Sequence, residues 1–492
     1  MLFVFIHRTR VLLYFLLLSF NFSATAQLIT RQTETNKDWS TISIMANAGG
    51  AHIHQYNYTY QNAILYIGDT AAVVAAMTNG TWKPRLLQVD DKLNTKWDIP
   101  VDGNLFGVAK TPKLGLAFYT RYEKERNAPA PTILVYVLGV DLQSGEIAFD
   151  KLIMERQSDK HVEAKVLTGP DGTFQHVLIR VSNRRYHEKY NSNSGKWEGE
   201  SIEFNLITSG GENFSERQIL PIKTDGTDNM FDGAIANNQG DFFIVSSNNK
   251  NVVVEKFDRH GKAVDRLATN LTKLSTFGGF RLAINEQNDQ SLLLLPPGTE
   301  GVSVNIFSFD FSRKKVLAVT APADRAFFDN IMALPVNAQE QLKYKELKDL
   351  EPEGIIQHNG RIIAIREVLT SEEGKYPGSW ATAKHTIIVS IYDQDLKVLT
   401  HIACKKEFLS YTLRKTSIGY TVRNNQLIIA TNIGDLKNAQ GAYIVIDLDT
   451  YKKETINTKS YTFEGSATCW FKNRFWIQSL INTEARFAEY TY

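Results

Sequence analysis

Apolar and polar positions along this chain alternate in short runs that come in pairs, and each pair meets at an Asp or at a cluster of small and polar residues. Residues 133–153 (ILVYVLGVDLQSGEIAFDKLI), 252–267 (VVVEKFDRHGKAVDRL) and 387–403 (IIVSIYDQDLKVLTHIA) show the pattern. Runs of this kind, rich in β-branched residues and bounded by turn residues, predict β-hairpins. The hairpin centres fall near Asp91, Asp141, Thr208, Asp258, Asp310, Asp393 and Asp447. Two weaker runs precede each hairpin. They flank Asn238-Gln239-Gly240 before Asp258, Asn359-Gly360 before Asp393 and Asn424-Asn425 before Asp447. Such residues tolerate the positive φ angles of tight hairpins. Each unit therefore predicts four antiparallel strands, called A to D from the inside outward.

Units made only of strands, repeated without a low-complexity linker, predict an all-β fold of radial sheets, a β-propeller. The last segment holds three strand-like runs, at 467–471, 474–480 and 486–492. Residues 41–46 (TISIMA) form a strand-like run with no partner nearby. Open sheet edges invite aggregation, so 41–46 is expected to pair with the C-terminal strands and close the ring. That count favours eight blades; seven blades, with the chain ends as caps, is the alternative. The stretch 321–353 interrupts the repeat. Within it, 337–350 (NAQEQLKYKELKDL) has a helix-forming composition. A helical insertion between the fifth and sixth blades, ended near Pro352, is expected there.

The N-terminus changes the picture of the surface. His7, Arg8 and Arg10 accompany an apolar run at 11–20, and Ala24-Thr25-Ala26 follows. This is the pattern of a secretory leader cut before Gln27. Residues 1–26 are then a signal peptide, and 27–492 form a single propeller domain that is secreted or periplasmic. The full chain has 55 Lys and Arg against 53 Asp and Glu; losing Arg8 and Arg10 leaves 53 of each. A neutral mature chain lacks the basic footprint of a nucleic-acid binder. No later segment is long and apolar enough to span a membrane. With two cysteines, Cys404 and Cys469, the chain has no disulfide framework. They are expected on an outer and an inner strand of non-neighbouring blades, a placement that disfavours a bond.

The turn Val140-Asp141-Leu142-Gln143-Ser144-Gly145-Glu146 resembles the hairpin of quinoprotein-like (PQQ-like) propeller repeats. Ile446-Asp447-Leu448-Asp449-Thr450 looks like a weaker copy, and Leu93-Asn94-Thr95-Lys96-Trp97 carries the Trp that such repeats place after the turn. The resemblance covers the outer hairpins and implies a propeller. It implies no quinone, because no residues match that family's ligand pattern, and no cofactor is expected. The whole chain looks like a secreted bacterial β-propeller.

Candidate chemistry is sparse. No Gly-x-Ser-x-Gly elbow occurs. His52 and His54 share a strand face but lack further ligands. Asp225, Asp228 and Asp232 lie among glycines that suit turns as well as a cation. No metal site is expected. Loop length is the one asymmetry. Three B–C connections, 120–132, 182–201 and 367–386, are long and emerge on one rim. They carry Arg121, Tyr122, Arg126, Arg184, Arg185, Tyr186, His187, Tyr190, Trp197, Tyr376 and Trp380. Arg, Tyr and Trp anchor interfaces, and aromatic faces suit sugar rings. The expected function is a monomeric, non-enzymatic binding module that offers this rim to a protein or a glycan. The alternatives are a glycosidase or lyase acting at the central depression, and a structural component of a cell-envelope assembly.

Overall fold

The computed structural model describes residues 29–31, 42–44, 64–68, 71–78, 83–90, 94–123, 132–157, 161–182, 190–191, 196–197, 202–208, 230–247, 251–270, 281–285, 291–295, 303–322, 350–373, 380–410, 418–434, 439–458, 462–481 and 484–491. They form eight antiparallel sheets of three to five strands and a separate two-stranded ribbon. No helix occurs among the described residues, and none is long and apolar enough to cross a membrane. The class is all-β and the architecture is that of a β-propeller.

The hairpins form where the sequence places an Asp, and the reason is local. The Oδ1 of Asp141 accepts hydrogen bonds from the backbone N–H groups of Gln143 and Ser144 at 2.9 and 2.8 Å. Asp258 does the same for His260 and Lys262, Asp310 for Ser312 and Arg313, Asp393 for Asp395 and Lys397, and Asp447 for Asp449 and Thr450. Asp90 fills the role in the first sheet by accepting from Asn94 N–H. A carboxylate that satisfies turn amides makes Asp the preferred residue there. The same bonds hold the Asp141 and Asp447 carboxyls below the usual range, the backbone amides of Ser144 and Thr450 being the largest cause in each case.

Consecutive sheets share apolar faces. Val73, Leu86 and Trp97 of the first sheet pack on Leu105 and Val108 of the second. Phe118 of the second meets Phe174 and Val177 of the third. The series continues around to the seventh and eighth, where Ile428 and Tyr443 meet Phe463 and Phe475. Middle strands are buried on both faces, so Leu427, Ile428 and Ile429 are all sealed. Outer strands show one wet face, as the alternation along Ala263–Asn270 records. The innermost strands stand side by side: Asn104–Lys110 touches both Ile64–Gly68 and His161–Thr168, and the succession runs on to Thr462–Trp470, which touches Ile64–Gly68.

The pairing of the N-terminal strands differs from expectation. Ile42–Ile44 does not join the C-terminal strands; it pairs with Ala76–Thr78 in the first sheet. The strand Ile64–Gly68 covers only Ala71–Val74 of that neighbour, and Ile42–Ile44 fills the remaining edge. The open edge of Glu484–Thr491 is taken instead by Ile29–Arg31, as the outer strand of the eighth sheet. A three-residue strand has too little side-chain pattern to specify one edge over another. The expected insertion near 321–353 also needs trimming. Lys315–Pro322 and Leu350–His358 are strands, so Pro352 lies within a ladder and does not end a helix. Residues 323–349 lie outside the described residues. Cys404 and Cys469 occupy an outer and an inner strand as expected; both are buried thiols, and burial pushes them up to about 11 and about 12.

Candidate functional site

The proposed rim is best described in the second sheet. Leu114–Glu123 rises to it and Thr132–Asp141 descends, so part of the expected 120–132 loop is ladder. Arg121 sits near the top. Its Nη2 lies 3.0 Å from the Asp102 carboxylate, and its Nε donates to the Asp102 carbonyl at 2.7 Å. The guanidinium lies 4.6 Å from the Tyr136 ring centre and 5.4 Å from that of Tyr119. The two rings are stacked, 5.2 Å apart and 10° from parallel. Tyr119 donates its phenolic hydrogen to Asp150 at 2.6 Å. Burial first, and then the Asp150 bond, push the Tyr119 hydroxyl well above its ordinary value. Strand alternation sends Tyr122 to the opposite face, where it is 57% exposed. The group is a stacked aromatic pair capped by a cation, with one exposed ring on the other face of the strand.

The third sheet gives less of its loop. Tyr190–Asn191 pairs with Lys196–Trp197 as a ribbon, and Tyr190 faces Trp197 in register. Among the described residues the ribbon is a sheet of its own, with no pairing to the blade. Arg126, Arg184, Arg185, Tyr186, His187 and Tyr376 lie outside the described residues. The third expected loop is mostly strand. Arg361–Glu373 and Trp380–Tyr392 pair up to Glu373 opposite Trp380. The backbone of 368–373 and 380–386 continues the ladder past a register shift at Val368, so Trp380 stands on a β-ribbon; Glu367 is fully buried. Of the eleven candidates, Arg121 and Tyr122 are the two whose side-chain surroundings are described, and they are chain neighbours.

Buried charged residues in the sixth sheet went unread in the sequence. Glu367 and Lys406 form an ion pair of 2.6 Å with both side chains wholly buried. Arg366 is 3% exposed. Ile365-Arg366-Glu367-Val368 sits inside an apolar strand, and that interruption was the available signal. A second missed signal is an acid followed by Gly in the inner strands: Asp232-Gly233, Glu353-Gly354 and Glu464-Gly465. At Gly354 the reason is steric. A Cβ there would lie 2.3 Å from the Tyr420 ring of the next sheet. The ladder bulges at the same point, between Pro352 and Gly354. Among the described residues no group of three or more His, Cys, Asp or Glu is placed to hold a metal ion.

No family model matches the chain, and no curated protein matches it significantly. Several solved structures are similar to it in outline. BamB from Moraxella catarrhalis aligns at 10% identity over 87% of this chain and 96% of its own, with a TM-score of 0.42. Sqt1 from Chaetomium thermophilum, solved bound to the N-terminus of ribosomal protein L10, aligns at 12% identity over 86% and 93%, with a TM-score of 0.41. Prolyl oligopeptidase B from Galerina marginata aligns at 10% identity over 90% of this chain, with a TM-score of 0.44. The chain spans 56% of that enzyme's length. The fold assignment stands on the sheets and their order.

Proposed function

We propose that this chain is an exported, monomeric binding module without catalytic activity, which presents the B–C rim to a protein or glycan partner. In this reading the eight sheets are the blades of one ring, and cleavage before Gln27 leaves the closing strand Ile29–Arg31 in the mature chain. One observation supports the rim above the others. Arg121, Tyr119 and Tyr136 form a cation–aromatic stack, with Tyr122 exposed on the other face of the same strand. Ordered Tyr and Arg side chains bind with little loss of rotamer freedom, and long loops on a rigid scaffold are where binding functions collect.

The test starts with the mature chain, 27–492, on a glycan array and in chemical cross-linking against its native surroundings. Affinity for the partner found is then measured for Tyr122→Ala and for a triple variant, Tyr186→Ala with Trp197→Ala and Trp380→Ala. The expected result is weaker binding at an unchanged Tm. Unchanged affinity in both variants rejects this face.

A further inference from the structure

The third and fourth sheets meet across a modest apolar face. Leu167 and Leu178 come from the third, and Ala234, Ala236, Phe242, Ile244 and Phe257 from the fourth. The face between the sixth and seventh sheets, by contrast, is filled mainly by isoleucines. Across the third–fourth face, two basic side chains of the third sheet reach backbone carbonyls of the fourth. Lys165 Nζ donates to the Ala234 carbonyl at 2.9 Å. His176 Nε2 donates to the Gly240 carbonyl at 2.6 Å. Gly240 sits at positive φ in the turn between the two innermost strands of the fourth sheet. The imidazole therefore ties one sheet to the hairpin turn of the next.

His176 is 2% exposed, and its ring lies 4.7 Å from that of Phe242. A carbonyl only accepts, so Nε2 carries the hydrogen and Nδ1 holds a lone pair. That Nδ1 is buried and has no hydrogen-bond partner. A proton taken up there would be a buried N–H without an acceptor, and a charge in an apolar face. The acids of the fourth sheet that act on the ring are Asp241 and Asp258. Both are already engaged. Asp241 holds Lys256 at 2.8 Å, and Asp258 accepts from the His260 and Lys262 amides. Arg259 packs against Gly240, and Lys165 pairs with Leu178, two residues along the strand from His176. Burial is the largest influence on the imidazole and holds it below its ordinary value; the Gly240 bond and the two acids oppose this without overcoming it.

We propose that His176 is an acid-sensitive latch between the third and fourth sheets: proton uptake at Nδ1 parts these two sheets locally while the others stay packed. The parted form gives the imidazole water and its ordinary value of about 6.5, so that form takes up the proton first. The seam is therefore fully held above about pH 6.5 and loosens as pH falls from there. The latch does not depend on how the rim is used.

Amide hydrogen exchange of the native chain, read by mass spectrometry from about pH 7.5 down to about pH 5 and corrected for the intrinsic exchange rate, tests this. Protection in Phe174–Ser182 and in 234–245 should fall about tenfold for each pH unit below about 6.5, while Arg474–Ile481 of the eighth sheet stays protected. His176→Gln keeps a donor for Gly240 and cannot titrate, so it should remove that response. A second buried imidazole, His401, lies in the sixth sheet and shares a hydrogen bond with Ser390 at 2.9 Å. His401→Asn should leave the response of the third and fourth sheets in place. Nitrogen NMR of the histidine rings gives a reading that needs no variant: His176 should be the Nε2–H tautomer and stay neutral below about pH 6.5 for as long as the seam is protected. Four results overturn the latch: seam segments that keep their protection down to about pH 5, an equal loss in the eighth sheet, a His176→Gln chain that responds as the native one does, or a His176 ring that titrates near its ordinary value while Phe174–Ser182 is still protected.

Discussion

The two faces of the sixth sheet handle buried charge in opposite ways. Toward the seventh sheet, Ile363, Ile365, Val389 and Cys404 surround Glu367 and Lys406, which neutralise each other inside the chain. Toward the fifth sheet, Arg366 lies among apolar and neutral groups, and its hydrogen-bond partner is the Tyr392 side chain. Arg366 and Glu367 are adjacent in sequence, and a strand sends adjacent side chains to opposite faces. A short charged sequence therefore becomes two separate electrostatic problems. One is met by an ion pair; the other is met by a neutral hydrogen-bond partner.

The largest expected effect breaks the solved face. Lys406→Met leaves the buried Glu367 without its lysine, and should destabilise the fold by about 3–5 kcal/mol in urea unfolding. Glu367→Leu in the same chain should recover most of that loss. If the double variant is as damaged as the single one, the pair is not the source of the effect.

The other face should respond to acid. Burial, and then the nearby Arg366, hold His401 down at about 4. Its unfolded value is about 6.5, so the unfolded chain takes up the proton first. Stability is full above pH 6.5 and falls as pH drops from there towards 4, by at most about 3 kcal/mol. His401→Asn should flatten this part of the stability–pH curve. A native chain as stable at pH 4.5 as at pH 7 contradicts the assignment.

Gly354→Ala tests how tightly the paired face is packed, because the added methyl meets Tyr420 of the next sheet. A loss of about 1–3 kcal/mol is expected, partly relieved by Tyr420→Leu. The smallest effect is Arg366→Leu, expected within about 1 kcal/mol of the native chain. Set beside Lys406→Met, it shows whether the two buried cations differ as their surroundings imply.

Much of the fold was legible beforehand. The Asp residues at 141, 258, 310, 393 and 447 mark hairpins because each carboxylate caps its own turn within four residues. The strands that follow Asn238-Gln239-Gly240 and Asn359-Gly360 were readable for the same reason, since Gly240 and Asn359 sit at positive φ. The site was less legible. The 367–386 segment read as a loop because its Ser, Glu and Gly residues suggest turns, yet its alternation extends a ladder. Arg121 was picked out as a rim residue, but the stack of Tyr119 on Tyr136 beneath it joins two strands and has no sequence signature.

What the chain determines by itself is whatever depends on residues a few positions apart: turns, hairpins, the all-β class and the outer or inner place of Cys404 and Cys469. Tertiary structure alone decided which edge each N-terminal strand would take and which face would seal each charge. Ile29–Arg31 meets Phe487–Glu489 across nearly the whole chain, and Glu367 meets Lys406 only after three strands have aligned. Such pairings are chosen by the edges and counter-charges left over once the local units exist, and no local pattern carries that information.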